Sequence, residues 1–150
     1  MTHRRQRVCI LGSTSSIGTN TLDVIARHPE RFDVFALSAH SRVEPLFEQC
    51  LRWRPRHAVV GDAAQARALQ QRLREAGVAT EVLCGPHALA EMAAHPEVDI
   101  VMAAIVGASG LLPCLAAART GKRLLLANKE AIVVGGALFM RAVRDGRPAL

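Results

Sequence analysis

Short apolar segments alternating with helix-like stretches along the chain predict an α/β fold: a doubly wound, mostly parallel sheet with helices on both faces. The apolar segments are 7–11, 32–38, 57–60, 81–84, 99–105 and 123–126. Two of them, 99–105 and 123–126, are almost continuously apolar, the pattern of strands covered on both faces. Parallel neighbours need a crossover connection, and its right-handedness leaves few topologies besides the doubly wound sheet.

In chain order, Val8-Cys9-Ile10-Leu11 is the heart of the first strand. A helix from about Ser16 to His28 follows, with Ile17, Leu22, Val24 and Ile25 as its apolar face, and His28-Pro29 stops it. Phe32 to Ser38 is the second strand. The next helix, Val43 to Arg54, ends before Pro55, and His57 to Val60 is a short third strand. Residues 63–76 are rich in strong helix formers, and Gly77 closes them. Glu81 to Cys84 is the fourth strand; Pro86 takes the first position of a helix that His95-Pro96 ends. Asp99 to Ile105 is the fifth strand, Leu111 to Thr120 a helix closed by Gly121, and Arg123 to Leu126 a sixth, buried strand. A last helix is expected from Glu130 to Asp145. Pro148-Ala149-Leu150 reads as the start of one more strand, so residues 1–150 are expected to be the first domain of a longer protein.

Half of the 150 residues are hydrophobic and 21% are charged, which suits a folded domain with a real core and excludes a disordered chain. No apolar run approaches the roughly 18 residues of a membrane span. The N-terminal Met1-Thr2-His3-Arg4-Arg5-Gln6-Arg7 enters a strand without a signal-peptide core, so no membrane and a cytoplasmic location are expected. Net charge is +6, from 17 Arg and 2 Lys against 13 acids. That balance raises nucleic acid as a partner. Apart from Arg4-Arg5-Arg7 and Arg52-Trp53-Arg54-Pro55-Arg56, however, the arginines are scattered over helix faces. Aromatics are 3%, with no Tyr to stack on bases, so no nucleic acid is expected and anionic small molecules are. Cys9, Cys50, Cys84 and Cys114 form no Cys-x-x-Cys pair and have no His at zinc spacing. They read as small core residues, and no metal ligand is assigned.

Leu11-Gly12-Ser13-Thr14-Ser15-Ser16-Ile17-Gly18 joins the first strand to the first helix. A dinucleotide-binding turn needs Gly at the bend, a small residue where backbone meets the pyrophosphate, and Gly where helix packs on strand. Gly12 and Gly18 fill the first and last roles, and Ser15 the middle one. Thr14, Ser15 and Ser16 add hydroxyl groups, and the helix N-terminus aims free N–H groups at the same spot. A Gly/Ser-rich turn can be merely a turn, but its place after the first strand favours a cofactor and makes the fold Rossmann-like. No Lys-Ser or Lys-Thr follows Gly18, which excludes a P-loop. After the second strand, Ser38-Ala39-His40-Ser41-Arg42 lacks the acid that holds a ribose 2′-hydroxyl. His40, Ser41 and above all the Arg42 guanidinium suit a 2′-phosphate, which favours NADP over NAD. The competing reading of Arg42 is a solvated residue opening the next helix.

Two more loops follow strands at the same end of the sheet. Small residues and glycines from Ala103 to Pro113 let backbone lie against a flat ring or sugar, although a tight turn asks for the same glycines. Asn128 and Glu130 suit a helix cap and first turn. Lys129 between them opposes the helix macrodipole and points to a phosphate- or carbonyl-bearing ligand.

Gly12-Ser13-Thr14-x-Ser16-Ile17-Gly18, Met-Ala-Ala-Ile-Val-Gly-Ala-x-Gly-Leu-Leu-Pro at 102–113 and Leu-Leu-Ala-Asn-Lys-Glu at 125–130 together resemble the 1-deoxy-D-xylulose 5-phosphate reductoisomerase family. Smaller matches lie at 21–25, 48–51 and 138–140, and the resemblance covers essentially the whole chain. It implies an enzyme dependent on NADPH and a divalent metal, Mg or Mn. That enzyme rearranges 1-deoxy-D-xylulose 5-phosphate and reduces the product to 2-C-methyl-D-erythritol 4-phosphate, in the non-mevalonate route to isoprenoids. The resemblance implies that Thr14, Ser15, Ser16 and Ile17 contact the NADPH phosphates and ribose. By the same likeness Asn128 and Glu130 contact the cofactor, and Lys129 reaches the phosphate-bearing substrate. It also implies a homodimer for the full-length enzyme and metal-binding carboxylates just past Leu150, so residues 1–150 alone hold no catalytic residue set and are expected to be inactive. The chain departs from the family at Ser15, more often Gly, and at His40-Ser41-Arg42, often Gly-Lys-Asn, so Arg42 rests on its charge alone. Two other readings stay open. One is another NADP-dependent Rossmann-like reductase of the aspartate-semialdehyde dehydrogenase type, which needs a catalytic thiol shortly downstream of the cofactor domain, a role that Cys114, inside a helix pattern after Pro113, does not suit; the other is a non-catalytic nucleotide-sensing module.

Overall fold

The computed structural model describes residues 5–105 and 110–126. In chain order these form β1 (Gln6–Leu11), α1 (Ser16–Arg27), β2 (Phe32–Ser38), α2 (Val43–Trp53), β3 (His57–Val60), α3 (Ala63–Glu75), β4 (Glu81–Cys84), α4 (Gly85–Ala93), β5 (Ile100–Ala103), α5 (Leu111–Arg119) and β6 (Arg123–Leu126). The strands form one parallel sheet in the order β4-β3-β2-β1-β5-β6. The chain therefore winds outward from β1 to β4, then returns to lay β5 on the other flank of β1. This is the doubly wound, Rossmann-like α/β fold expected from the strand–helix rhythm. The helix expected at 130–145 lies outside the described residues.

Pleating sends successive strand residues to opposite faces and so separates two cores. Val8 and Ile10 of β1 and Ala58 and Val60 of β3 pack with Leu22 and Ile25 of α1, Leu46 of α2 and Leu69 of α3. Cys9 and Leu11 of β1 and Val101 and Ala103 of β5 face the other way, onto Met92 and Ala93 of α4 and Cys114 and Leu115 of α5. One irregularity interrupts the ladder. Val8 pairs with Val34 but Cys9 with Ala36, so Phe35 is an extra residue on β2 and shares the α4–α5 face with Ala36.

Three local expectations shift. Helix α1 buries Gly18, Leu22 and Ile25, whereas Ile17 and Val24 are 41% and 50% exposed. The buried stripe is set one residue along from the expected face, because the helix must press its glycine onto the turn before it. Pro86 is the second residue of α4 rather than the first, a position whose N–H still lacks an intrahelical partner. Strand β6 is not buried throughout. Leu124 and Leu126 pack on the core, but Arg123 is exposed and Leu125 is 40% exposed, as befits a strand at the end of the described sheet.

At the amino ends of the strands Phe35 lies 5.4 Å from His57 and 4.8 Å from His95, ring to ring. Burial lowers the His57 pKa; neighbouring His95 and Arg56 push the same way, against the raising effect of Glu81. The arginine-rich run beside it is taken up within the chain. Arg52 lies over the Trp53 ring at 4.9 Å, and Arg56 lies over Phe35 and pairs with Glu97 at 2.7 Å.

Arg54 ends α2 at φ 47°, a left-handed conformation that favours glycine. Arg54→Gly is expected to raise stability by about 0.5–1 kcal/mol, read as a higher urea midpoint at unchanged slope. A lower midpoint would mean that the Arg54 bond to the Gly77 carbonyl, at 3.3 Å, outweighs the backbone strain. His57 supplies a pH signature. Its folded pKa lies below the ordinary 6.5, so its contribution is whole above that value and is lost as pH falls through the folded pKa. Stability should therefore fall more steeply below pH 6.5 in the wild type than in His57→Phe, and parallel curves would remove His57 from the acid response.

Candidate functional site

A cleft of about 660 Å³ opens at the carboxyl ends of the strands, where the winding direction of the sheet reverses. Gly12, Thr14 and Ser15 line it from the β1–α1 turn, Ser38 to Arg42 from the loop after β2, and Val59 to Gly61 from the end of β3. Gly85, Pro86 and Leu89 of α4, then Ala104, Ile105 and Leu112, complete the lining. No acid is among these residues; Arg42 carries the fixed charge.

Both glycines of the turn are required by geometry. Gly12 has φ 76°, and a Cβ there would lie 2.9 Å from the Ala104 carbonyl oxygen. A Cβ on Gly18 would fall 2.4 Å from the Gly12 oxygen and 2.6 Å from Ser13 Cα. The first turn of α1 therefore sits directly on the end of β1. Ser15 caps that helix: its hydroxyl accepts from the Gly18 N–H at 3.1 Å and donates to the Gly12 carbonyl at 2.8 Å. Ser16 and Ile17 open the helix with exposed side chains, and the first-turn N–H groups have no intrahelical partner. Thr14 is half-buried, and its carbonyl accepts from Arg42 Nη1 at 2.9 Å. Two expected site residues from different loops thus meet at the mouth of the cleft.

Four residues that sequence reasoning did not single out complete the arrangement. The Gly12 N–H donates to Ser38 Oγ at 2.9 Å, and the Ser13 N–H to the Ser38 carbonyl at 2.8 Å. Ser13, fully buried, is held from α2 by Gln49. Gly61 keeps β3 close to the loop after β2, since a Cβ there would lie 2.6 Å from the His40 carbonyl. Ser38 closing an apolar strand and Gly61 following Val60 were readable signals. Gln49 had only its place in the 48–51 match. Asn128, Lys129 and Glu130 lie outside the described residues.

The three buried thiols do not supply a nucleophile. Burial pushes Cys9 and Cys50 up to about 12 and Cys114 up to about 11. Cys114 is packed in the α4–α5 core, which bars it as the catalytic thiol of a reductase of the aspartate-semialdehyde dehydrogenase type, as its helix pattern led one to expect. Among the described residues no three His, Cys, Asp or Glu side chains gather as a metal site, and no helix is long and apolar enough to cross a membrane.

The contact under Gly18 can be weighed against a glycine in open space. Gly18→Ala is expected to cost about 3 kcal/mol, since backbone must move to admit the methyl group. Gly77→Ala, at φ 75° with nothing within 4 Å, should cost only about 1 kcal/mol. Urea unfolding of both variants measures the difference; equal costs would mean that α1 shifts freely off the turn.

The family model of 1-deoxy-D-xylulose 5-phosphate reductoisomerase matches residues 8–136. The enzyme of that name from Aromatoleum aromaticum is 66% identical over 140 residues, which are 93% of this chain and 35% of that protein. The one from Stutzerimonas stutzeri is 61% identical over 147 residues, 98% of this chain and 37% of the relative. This chain thus spans little more than a third of the curated relatives it matches. Among solved structures, a DOX-P reductoisomerase in complex with NADPH, fosmidomycin and magnesium superposes with a TM-score of 0.91 at 41% identity, over 95% of this chain and 35% of that one. The Zymomonas mobilis reductoisomerase in complex with NADPH gives 0.88 at 40%, over 95% and 37%. Matched by the family model over most of its length, and with the glycine turn and cleft in the places the fold demands, the chain belongs to the 1-deoxy-D-xylulose 5-phosphate reductoisomerase family.

Proposed function

We propose that residues 1–150 are the NADPH-binding part of a 1-deoxy-D-xylulose 5-phosphate reductoisomerase. The whole enzyme rearranges 1-deoxy-D-xylulose 5-phosphate and reduces the resulting aldehyde to 2-C-methyl-D-erythritol 4-phosphate, in the non-mevalonate route to isoprenoids. The observation that carries this reading is the Arg42–Thr14 contact, which sets a guanidinium at the mouth of a cleft built on a glycine turn.

The residues present fit the cofactor. Gly12 and Gly61 stand where a side chain would collide with neighbouring backbone, and Ala39, Val60, Pro86 and Leu89 give the cleft apolar walls suited to a flat ring. The N-terminus of α1 favours a pyrophosphate at the β1–α1 turn. Arg42 has five N–H donors, so it can keep the Thr14 carbonyl and still clamp a 2′-phosphate. Ser15 serves as the helix cap with its side chain at the cleft, and Ser16 and Ile17 offer first-turn N–H groups. Bound NADPH supplies the hydride for the reduction. By likeness to the family, Asn128 and Glu130 also hold the cofactor and Lys129 reaches the substrate. The described residues offer no cluster of metal ligands; the metal's carboxylates, and the rest of the substrate site, are assigned to the remaining length of the enzyme. For that whole enzyme we propose a cytoplasmic homodimer, and for residues 1–150 alone, binding without turnover.

Calorimetric titration of the 150-residue chain with NADPH and NADH at low salt tests the reading. NADPH should bind at least about tenfold more tightly, through charge-assisted bonds to Arg42. Arg42→Ala should bring NADPH down to the NADH level. Equal binding by the wild type sinks the 2′-phosphate clamp, and a folded chain that binds neither sinks the cofactor assignment.

A further inference from the structure

We infer that Gln49, in the middle of α2, is a positioning residue that holds the β1–α1 turn in the shape that receives the cofactor pyrophosphate; the inference rests on the NADPH reading above. Both ends of the Gln49 amide go to one residue. Its Nε2 donates to the Ser13 carbonyl at 2.9 Å, and its Oε1 accepts from the Ser13 hydroxyl at 2.7 Å. Ser13 is fully buried between Gly12 and Thr14, which both line the cleft. Its N–H is held by the Ser38 carbonyl, so every polar group of Ser13 has a partner.

The consequence for the loop follows from peptide geometry. In a trans peptide the carbonyl and the next N–H point in opposite directions. Drawing the Ser13 carbonyl toward Gln49 therefore turns the Thr14 N–H away from α2. The following carbonyl, that of Thr14, is held by Arg42 at 2.9 Å. Arg42 caps α2 and Gln49 stands two helical turns further along, so both lie on the same side of that helix. Helix α2 and its cap hold two successive carbonyls of the turn, one through the residue assigned to the 2′-phosphate and one through a residue that does not line the cleft.

The two grips predict different losses. Arg42 acts on the group that distinguishes NADPH from NADH, whereas Gln49 acts on the turn that serves the pyrophosphate both share. Titrating the 150-residue chain and its Gln49→Leu variant with each nucleotide separates them. Gln49→Leu should weaken both by about tenfold, leaving their ratio and the number of sites unchanged. Fewer sites at unchanged affinity would mean that Gln49 serves the fold alone, and equal affinity in variant and wild type would mean that the turn holds its shape unaided; either overturns the inference. Gln49→Glu gives a second test if the leucine variant fails to fold. A protonated carboxyl offers one donor and one acceptor, as the amide does, while the ionised form offers two acceptors and a negative charge. The NADP⁺ affinity of Gln49→Glu, taken relative to the wild type at each pH, should recover as pH falls from about 7.5 to about 5, and a flat ratio refutes the inference. A wild-type chain that binds neither nucleotide overturns the NADPH reading and this inference with it; binding by the wild type with an indifferent Gln49 overturns only this one.

Discussion

The contact between Gly18 and the end of β1 is the constraint on which the described half of the cleft depends. A helix whose first turn rests on the preceding strand with no room for a methyl group cannot slide or tilt. That fixes where its unpaired N–H groups point and where Ser15 must stand to cap them. It also explains the offset of the α1 stripe. Gly18, Leu22 and Ile25 face the sheet because Gly18 has to, which rotates Ile17 and Val24 outward.

The turn made by this contact would leave buried polar groups without partners were it not for β2 and α2. Ser38 and Gln49 take up the N–H groups of Gly12 and Ser13 and the oxygens of Ser13, around a serine that is itself fully buried. Loop rigidity here is thus a by-product of polar satisfaction. Electrostatics point the same way. Arg56 and Arg72 are engaged with Glu97 and Glu44 away from the cleft, while Arg42 leans on a carbonyl at its mouth and retains donors for an anion.

Much of this was readable in the residues themselves. Each described strand was placed to within a few residues, because apolar runs bounded by Gly, Pro and helix formers are local signals. Strand β5 shows the limit. Its apolar run continues through Ala104 and Ile105, but the strand ends at Ala103 and those two residues line the cleft, and apolar character alone does not say where a buried strand ends. In the site, Gly12, Ser15 and Gly18 were readable as a turn, since glycine at a bend and serine at a helix start are chemical necessities of short segments. Arg42 was readable as charge, but not as a partner of Thr14.

The sequence by itself determined the fold class, the glycine turn and the basic character of the loop after β2, because each depends on residues within one turn or one strand of each other. Tertiary structure decided what meets what. Arg42 reaches Thr14 across 28 positions and Gln49 reaches Ser13 across 36, and both contacts exist because β2 lies beside β1. Strand order is settled by how two cores close around the sheet, not by any segment's own periodicity. A polar residue in the middle of an amphipathic helix therefore looks like surface until that order places it under a buried serine.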